Sequence, residues 1–184
     1  MAPVYLYIFR GFAETTPGES HRLLAQAATA YCAWIGRPLP DLDLARAEEG
    51  KPFLPHAPDL HFSISHSGGI WACAFGDAPL GLDLQQIKPI RETGIARRFF
   101  HPEEIAYLES HPDAFFALWT AKESYVKFTG RGLAAEFPHV SVIRGGRFAP
   151  PPPARVLVHI PFDEGYALCL CGDTAEFCLH ELDS

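Results

Sequence analysis

Short segments with a period of two residues recur along this chain and limit the folds it can adopt. Residues 4–9 are apolar on both alternating faces, which predicts a strand covered on both sides. Residues 60–64 alternate again, Gly68-Gly69 offers a turn, and residues 70–75 return as an apolar strand. The sequence therefore predicts a β-hairpin with His66 near its tip.

Two longer segments have the period of a helix. Thr16-Pro17-Gly18-Glu19 resembles a capping box, with proline at the first helical position, and apolar residues continue at helical spacing until Gly36. A second long helix is predicted over residues 112–128, with Gly130 as the residue that ends it. Further strands are predicted at residues 79–84, 140–143, 155–160, 166–171 and 175–179, and a short helix opens at His101-Pro102-Glu103-Glu104.

Each half of the chain thus offers one long helix and several strands, without a literal internal repeat. We predict an α+β protein of two lobes, an N-terminal lobe at residues 1–78 and a C-terminal lobe at residues 79–184. A chain of 184 residues is long enough for two small lobes that share an interface.

Composition and charge exclude several classes of protein. Charged residues make up 20% of the chain, and no apolar run approaches the roughly 20 residues of a membrane span. The formal net charge is -7, so we expect no nucleic acid partner, because phosphate binding needs a basic surface. The N-terminal residues do not read as a signal peptide. We therefore expect a cytoplasmic protein without a membrane partner.

The cysteines lack the spacing of a disulfide framework. Cys169, Cys171, Cys178 and His180 have ligand types that suit zinc. The alternation of residues 166–171 explains the first two instead as neighbours on one face of a strand. We expect reduced, buried cysteines rather than a zinc site.

Two carboxylates stand in apolar surroundings. Asp83 lies in a short apolar strand, where a buried acid is costly unless a cation neutralises it, although it could also cap a turn. Trp119, Glu123 and Lys127 share one face of the second long helix, with Lys122 beside them. A surface ion pair is the ordinary explanation of that spacing. If Asp83 meets Glu123, however, the pair forms a site that can hold Mg²⁺ against phosphate oxygens.

Four motifs together resemble a known family. They are Gly50-Lys51-Pro52-Phe53, Phe62-Ser63-Ile64-Ser65-His66-Ser67, Gly81-Leu82-Asp83 and Trp119-Thr120-Ala121-Lys122-Glu123-Ser124-Tyr125-Val126-Lys127. Their order and spacing are similar to those of monomeric 4'-phosphopantetheinyl transferases of the type that activates surfactin synthetase. The segments 98–104 and 130–133 also resemble that family.

The resemblance implies two similar α/β lobes related by a pseudo-twofold axis, with coenzyme A in the cleft between them. It implies transfer of phosphopantetheine from coenzyme A to a serine of an apo acyl or peptidyl carrier protein, with release of 3',5'-ADP. Asp83 and Glu123 would hold Mg²⁺ on the pyrophosphate. Glu123, directly or through a metal-bound water, would take the serine proton, and Lys127 would stabilise charge on the transferred phosphate.

Further contacts to coenzyme A follow from the same resemblance. They involve Lys51, Ser65, His66, Lys122 and Arg22. For His66 a surface turn, and for Arg22 a solvated first helical turn, are the ordinary alternatives.

Two features depart from the family pattern. Gln85 stands where many members carry a second acid, so its amide oxygen or a water would complete the Mg²⁺ shell. The sequence before Ser20-His21-Arg22 is short, and we expect it to lack the basic stretch that many relatives use to hold the 3'-phosphate.

Residues 88–100 lie where relatives contact their carrier. This segment mixes basic and apolar side chains, namely Lys88, Arg91, Arg97 and Arg98 with Ile90, Ile95 and Phe99. Such a mixture suits an acidic helix with an apolar centre, and a solvated helix face is the alternative.

Two other functions remain open at the level of sequence. A noncatalytic module that binds coenzyme A or a carrier would be compatible with Gln85 and the short N-terminal segment. A metal-dependent phosphohydrolase could use Asp83, Glu123 and His66 on a small substrate. The presence of both lysines around Glu123 favours the transferase.

Overall fold

The computed structural model describes residues 2–89, 92–132 and 137–183. In chain order, the strands and helices are β1 (Val4–Arg10), α1 (Glu19–Ile35), β2 (Ala45–Arg46), β3 (Pro52–Phe53), β4 (His61–Ser67), β5 (Ile70–Gly76), β6 (Gly81–Gln86), α2 (Glu92–Phe99), α3 (Pro102–Ser110), α4 (Phe115–Thr129), β7 (Ile143–Arg144), β8 (Arg147–Phe148), β9 (Val156–His159), β10 (Tyr166–Gly172) and β11 (Phe177–Leu182). Within these ranges, no helix has both the length and the apolar character that crossing a membrane would require.

Four strands form the larger sheet, in the order β11-β1-β5-β4. The strands of the β4–β5 hairpin pair antiparallel, β5 pairs antiparallel with β1, and β11 pairs parallel with β1. One face of this sheet packs against α1, where Phe9, Trp71 and Phe75 join Leu23 and Leu24 in a buried cluster. The predicted first strand and hairpin are confirmed.

A second sheet has the order β6-β10-β9, with antiparallel pairing throughout. The two faces of β10 belong to different clusters. Leu168 and Leu170 pack with residues of β1 and β5, whereas Cys169 and Cys171 pack with residues of α4. The two sheets therefore lie between α1 and α4, which confirms a mixed α/β architecture and the placement of both cysteines on one face of a strand.

The start of α1 differs from the sequence prediction. The helix begins at Glu19 after Gly18, whose φ of 76° lies in the left-handed region, and no side chain caps it. The predicted capping box is wrong, because this turn leaves Thr16 to accept a bond from Glu19 N through its backbone oxygen only. The helix ends at Gly36, as predicted.

One strand crosses the predicted boundary between the lobes. β11 comes from the second half of the chain but pairs with β1, from Val4 opposite Phe177 to Phe9 opposite Leu182. The larger sheet thus contains strands from both predicted lobes. The boundary at residue 78 and the pseudo-twofold relation stay predictions.

Candidate active site

The strand β6 lies directly against α4 at Gly81. A Cβ atom at this position would lie 1.9 Å from the backbone oxygen of Ser124 and 2.4 Å from the backbone nitrogen of Phe128, so only glycine fits. Asp83 lies two residues further along the strand and therefore on the same face. The close approach at Gly81 thus brings the Asp83 side chain to the surface of α4.

The helix α4 supplies the partners of Asp83. It begins at Phe115, because residues 112–114 form a 3-10 turn, so the predicted start at residue 112 is wrong by that turn. Glu123 and Lys127 lie one helical turn apart, and Lys127 Nζ is 2.7 Å from Asp83 Oδ1. The structure therefore brings together the acid of the strand and the acid and lysine of the helix.

Asp83 is almost fully buried, with 5% of its surface exposed. Its Oδ1 accepts hydrogen bonds from Ser65 Oγ at 2.9 Å and from Lys127 Nζ at 2.7 Å. Burial raises the pKa of Asp83, and the charge of Lys127 and these hydrogen bonds oppose the rise. Its other oxygen, Oδ2, is buried and has no hydrogen-bond partner among the residues that the structure describes.

Glu123 is also in an unfavourable environment for a charge. Burial and the neighbouring charge of Asp83 raise the pKa of Glu123 to about 7, although Lys127 opposes the shift. Two carboxylates thus compete for one ammonium group. A divalent cation between them would relieve this repulsion.

The donor set fits Mg²⁺, which prefers carboxylate oxygens and keeps several ligands from water or substrate phosphates. The unsatisfied Oδ2 of Asp83 is an available ligand, and Glu123 can supply a second. Nowhere in residues 2–89, 92–132 and 137–183 do three His, Cys, Asp or Glu side chains form a possible metal cluster. A cation held here would therefore need further oxygens from phosphate, water or an amide.

A pocket of about 310 Å³ adjoins the two α4 residues. It is lined by Glu123 and Lys127 on one side and by the Gly50–Pro52 segment on another. Lys51 Nζ donates to the backbone oxygens of Leu80 at 3.2 Å and Phe128 at 3.3 Å. Burial lowers the pKa of the Lys51 ammonium to about 8. Lys51 thus joins the pocket wall to the residue before β6 and to the last turn of α4.

His66 and Arg22 lie away from this cluster. Neighbouring strand residues point to opposite faces, so His66 lies on the face of β4 opposite Ser65, where its ring centroid is 5.0 Å from that of Phe12. Arg22 is exposed on α1 and donates to Gln26 Oε1 at 2.9 Å. The structure does not bring these two predicted contacts to the carboxylates.

Lys122 is buried in an ion pair with Glu104 rather than beside Glu123. Its Nζ lies 2.7 Å from Glu104 Oε2 and 3.0 Å from Oε1, and 2% of Lys122 and 0% of Glu104 is exposed. Glu104 also accepts from the backbone nitrogens of His101 and Val142. This pair joins α4 to α3 and to the segment before β7. The pairing of Glu104 with Lys122 was not predicted from the sequence, although the position of Glu104 three residues after His101 fits a capping box.

Gln85 follows Asp83 on the same face of β6. Its amide Nε2 donates to Ser67 Oγ at 3.2 Å. Its side chain also lines a small pocket with Trp119, Phe116 and Ile95. The contribution of its oxygen to a metal shell stays a prediction.

The helix α2 carries the predicted carrier surface. Arg97, Arg98 and Phe99 are exposed, and the Arg98 guanidinium lies 5.1 Å from the centre of the Phe99 ring. Arg97 also borders a pocket of about 220 Å³ between α2, α3 and the start of α4. Ile90 and Arg91, which the sequence places on the same surface, lie outside the described residues.

Comparison with known proteins gives one consistent result. A family model described as the 4'-phosphopantetheinyl transferase superfamily matches residues 79–171, which is just over half of the chain. A 4'-phosphopantetheinyl transferase of Bacillus subtilis is 36% identical over 148 residues, which cover 71% of this chain and 63% of that protein.

Two other relatives are similar over shorter segments. The 4'-phosphopantetheinyl transferase Sfp of Bacillus subtilis strain 168 is 41% identical over 107 residues, or 55% of this chain and 47% of Sfp. The 4'-phosphopantetheinyl transferase psf-1 of Bacillus pumilus is 43% identical over 90 residues, or 46% of this chain and 38% of psf-1. The matched part of the chain spans less than two thirds of the length of these relatives.

Proposed function

Because this chain belongs to the 4'-phosphopantetheinyl transferase superfamily, we propose that it transfers the 4'-phosphopantetheine group of coenzyme A to a serine of an apo carrier protein. One observation carries the proposal beyond family membership. Asp83 is buried with one oxygen unsatisfied, beside Glu123 and Lys127. A buried carboxylate oxygen without a partner is costly, and a bound cation with its phosphate ligands would remove this cost.

The two carboxylates and the lysine have different roles in this reaction. Asp83 Oδ2 and Glu123 would hold Mg²⁺, which when bound supplies Lewis-acid polarisation of the pyrophosphate oxygens. The resemblance also gives Glu123 the role of accepting the serine proton. Lys127 carries a fixed positive charge that stabilises the phosphate oxygens as negative charge develops on them.

The proposed step conserves atoms and charge. The carrier serine oxygen forms a bond to the β-phosphorus of coenzyme A, and the bond to the oxygen of the leaving 3',5'-ADP breaks. The serine proton passes to Glu123. The carrier then holds phosphopantetheine as a phosphodiester.

Coenzyme A is proposed to occupy the pocket that adjoins Glu123 and Lys127. Lys51 lies in its wall, which supports the predicted contact of Lys51 with the nucleotide. The contacts of His66 and Arg22 stay predictions from the resemblance. Lys122 is assigned a role in the fold, because its ammonium is engaged with Glu104.

The carrier protein is proposed to dock on α2, as the resemblance implies. The exposed Arg97 and Arg98 would meet acidic residues of the carrier, and the pocket beside Arg97 offers an apolar lining from Ala96, Ile105 and Leu108. This combination of an apolar centre with charged edges is typical of protein interfaces. The reaction is expected to take place in the cytoplasm.

The test is the intact mass of apo acyl and peptidyl carrier proteins after incubation with the protein, coenzyme A and Mg²⁺. We expect a gain of one phosphopantetheine group that EDTA prevents. Asp83→Asn should slow the gain by at least about 100-fold, since electrostatic groups of active sites contribute effects of this size. Asp77→Asn, the same change at an exposed site before β6, is the matched control and should react like the unaltered protein.

Other outcomes would identify the alternatives. Binding of coenzyme A without any mass gain across several carriers would indicate a noncatalytic module. Release of phosphate or 3',5'-ADP in the absence of a carrier would indicate a phosphohydrolase.

A further inference from the structure

We propose that Ser65 is a positioning residue of the metal site, whose hydroxyl fixes one oxygen of Asp83 and thereby presents the other to a divalent cation. This inference rests on the proposed function, because it concerns the same cation. It assigns Ser65 a role different from the contact with coenzyme A that the family resemblance implies.

The observation begins with a row of three serines on β4. Alternate residues of a strand share a face, and the hydroxyls of Ser63, Ser65 and Ser67 all point to the edge of β6. They accept hydrogen bonds from the backbone nitrogens of Leu82 at 2.9 Å, Leu84 at 3.1 Å and Gln86 at 3.0 Å, respectively. These backbone N–H groups along the edge of β6 therefore find their hydrogen-bond acceptors on side chains of β4.

The middle serine makes three additional contacts. Ser65 Oγ donates to Asp83 Oδ1 at 2.9 Å, lies 3.5 Å from a second acceptor, the backbone oxygen of Leu84, and accepts from Lys127 Nζ at 3.0 Å. It thus contacts the backbone of β6, the carboxylate on β6 and the lysine of α4 through a single oxygen atom.

These bonds use the whole hydrogen-bonding capacity of the hydroxyl. A serine has one hydrogen to donate and two lone pairs to accept with. The hydrogen is assigned to Asp83 Oδ1 at 2.9 Å, because the other acceptor, the Leu84 backbone oxygen, is 3.5 Å away. The lone pairs receive the bonds from Leu84 N and Lys127 Nζ. No donor remains for a phosphate oxygen unless Ser65 releases Asp83.

The consequence concerns the orientation of the carboxylate. Asp83 Oδ1 has two partners, whereas Oδ2 is buried without one among the described residues. Because the two oxygens share one plane, fixing Oδ1 also fixes the direction of Oδ2. The groups that support a metal ligand in this way contribute strongly to metal affinity.

The serine row supplies its own control experiment. We would measure Mg²⁺ binding by calorimetry, and Mn²⁺ binding by electron paramagnetic resonance, on the whole chain without coenzyme A. Ser65→Ala should weaken cation binding by about tenfold, since loss of such supporting contacts costs about 10 to 100-fold. Ser63→Ala removes an equivalent bond to the backbone of β6 but no bond to Asp83, and should change cation affinity by less than about twofold.

Two further variants separate the role of the hydroxyl from effects on folding. Ser65→Thr retains the hydroxyl and should restore most of the cation affinity. Ser65→Cys retains the approximate volume but donates weakly, and should behave like Ser65→Ala. Thermal unfolding of each variant gives its stability independently of the metal.

The outcomes distinguish this inference from the proposed function. If the unaltered protein binds no divalent cation, both the metal site and this role of Ser65 are overturned. If it binds a cation but Ser65→Ala binds as tightly as Ser63→Ala, only the role of Ser65 is overturned. Loss of coenzyme A affinity in Ser65→Ala with EDTA present would also overturn it, because it would show a direct contact with the substrate.

Discussion

At the scale of single residues, the charge of Lys127 compensates the two carboxylates of the site only in part. Lys127 Nζ lies 2.7 Å from Asp83 Oδ1, and its charge also opposes the rise in the pKa of Glu123. Burial of both carboxylates outweighs this compensation, because the pKa of each is raised. The arrangement therefore reduces the stability of the protein, and the proposed cation would offset this cost.

Glu123 should make the stability of the metal-free protein depend on pH. Its pKa is about 7 in the folded protein, against an ordinary value of 4.5. Between these values the unfolded chain loses the proton first, so the free energy of unfolding falls as pH rises from about 4.5 to about 7 and stays lower above that. With EDTA at pH 8, Glu123→Gln should therefore raise the free energy of unfolding by up to about 3 kcal/mol, which thermal unfolding detects as a higher melting temperature. At pH 4.5 the same change should have little effect.

The control for this prediction is the cation itself. Mg²⁺ should stabilise the unaltered protein at pH 8 and leave Glu123→Gln almost unchanged, because binding to the folded state alone raises stability. An equal change in melting temperature at both pH values would show that the raised pKa of Glu123 has no energetic consequence.

At the scale of secondary structure, α4 has two polar faces with separate roles. One face carries Glu123 and Lys127 toward β6, and the other carries Lys122 toward Glu104 on α3. Consecutive helical residues are about 100° apart, so one position along the helix is enough to change the partner. The family resemblance groups Lys122 with the coenzyme A contacts, whereas its surroundings show a buried ion pair.

Lys122→Met should therefore destabilise the protein. Removing one partner of a buried ion pair leaves the other charge uncompensated, which costs about 3 to 5 kcal/mol. Lys88→Met, a change of the same type at an exposed position, should be nearly neutral. Chemical denaturation measures the stability, and calorimetry at a temperature where the variant is folded measures coenzyme A affinity, which should be retained. If the variant kept its full stability but lost affinity for coenzyme A, the result would instead support a direct contact between Lys122 and coenzyme A.

Local patterns in the sequence predict the elements but not how distant elements join. Alternation predicted the β4–β5 hairpin, and Gly36 and Gly130 correctly marked helix ends, because these features depend on neighbouring residues. The parallel pairing of β11 with β1 and the serine bonds from β4 to β6 connect residues far apart in sequence. The motif Gly81-Leu82-Asp83 likewise identified the acid, but the need for glycine becomes evident only from its contact with α4.

At the scale of the whole molecule, net charge and the proposed partner are in conflict. The chain carries a formal charge of -7, so an acidic carrier is repelled at long range. Docking must then depend on a local surface of opposite sign. The exposed Arg97 and Arg98 of α2 supply positive charge for such a contact, although Glu92 and Glu109 line the pocket beside Arg97.

The double variant Arg97→Glu/Arg98→Glu should raise the KM for the carrier by at least about tenfold at low salt, because charges at the edge of an interface control association. The matched control is Arg144→Glu/Arg147→Glu, at exposed positions on the β7–β8 turn. Each pair of changes removes two positive charges and adds two negative charges, which takes the formal charge from -7 to -11, so both variants increase the long-range repulsion equally. Steady-state kinetics over a salt series separate the two effects. Repulsion is screened by salt in both variants, whereas only the α2 variant should lose the local attraction. Equal KM values for the two variants would mean that the carrier does not dock on α2.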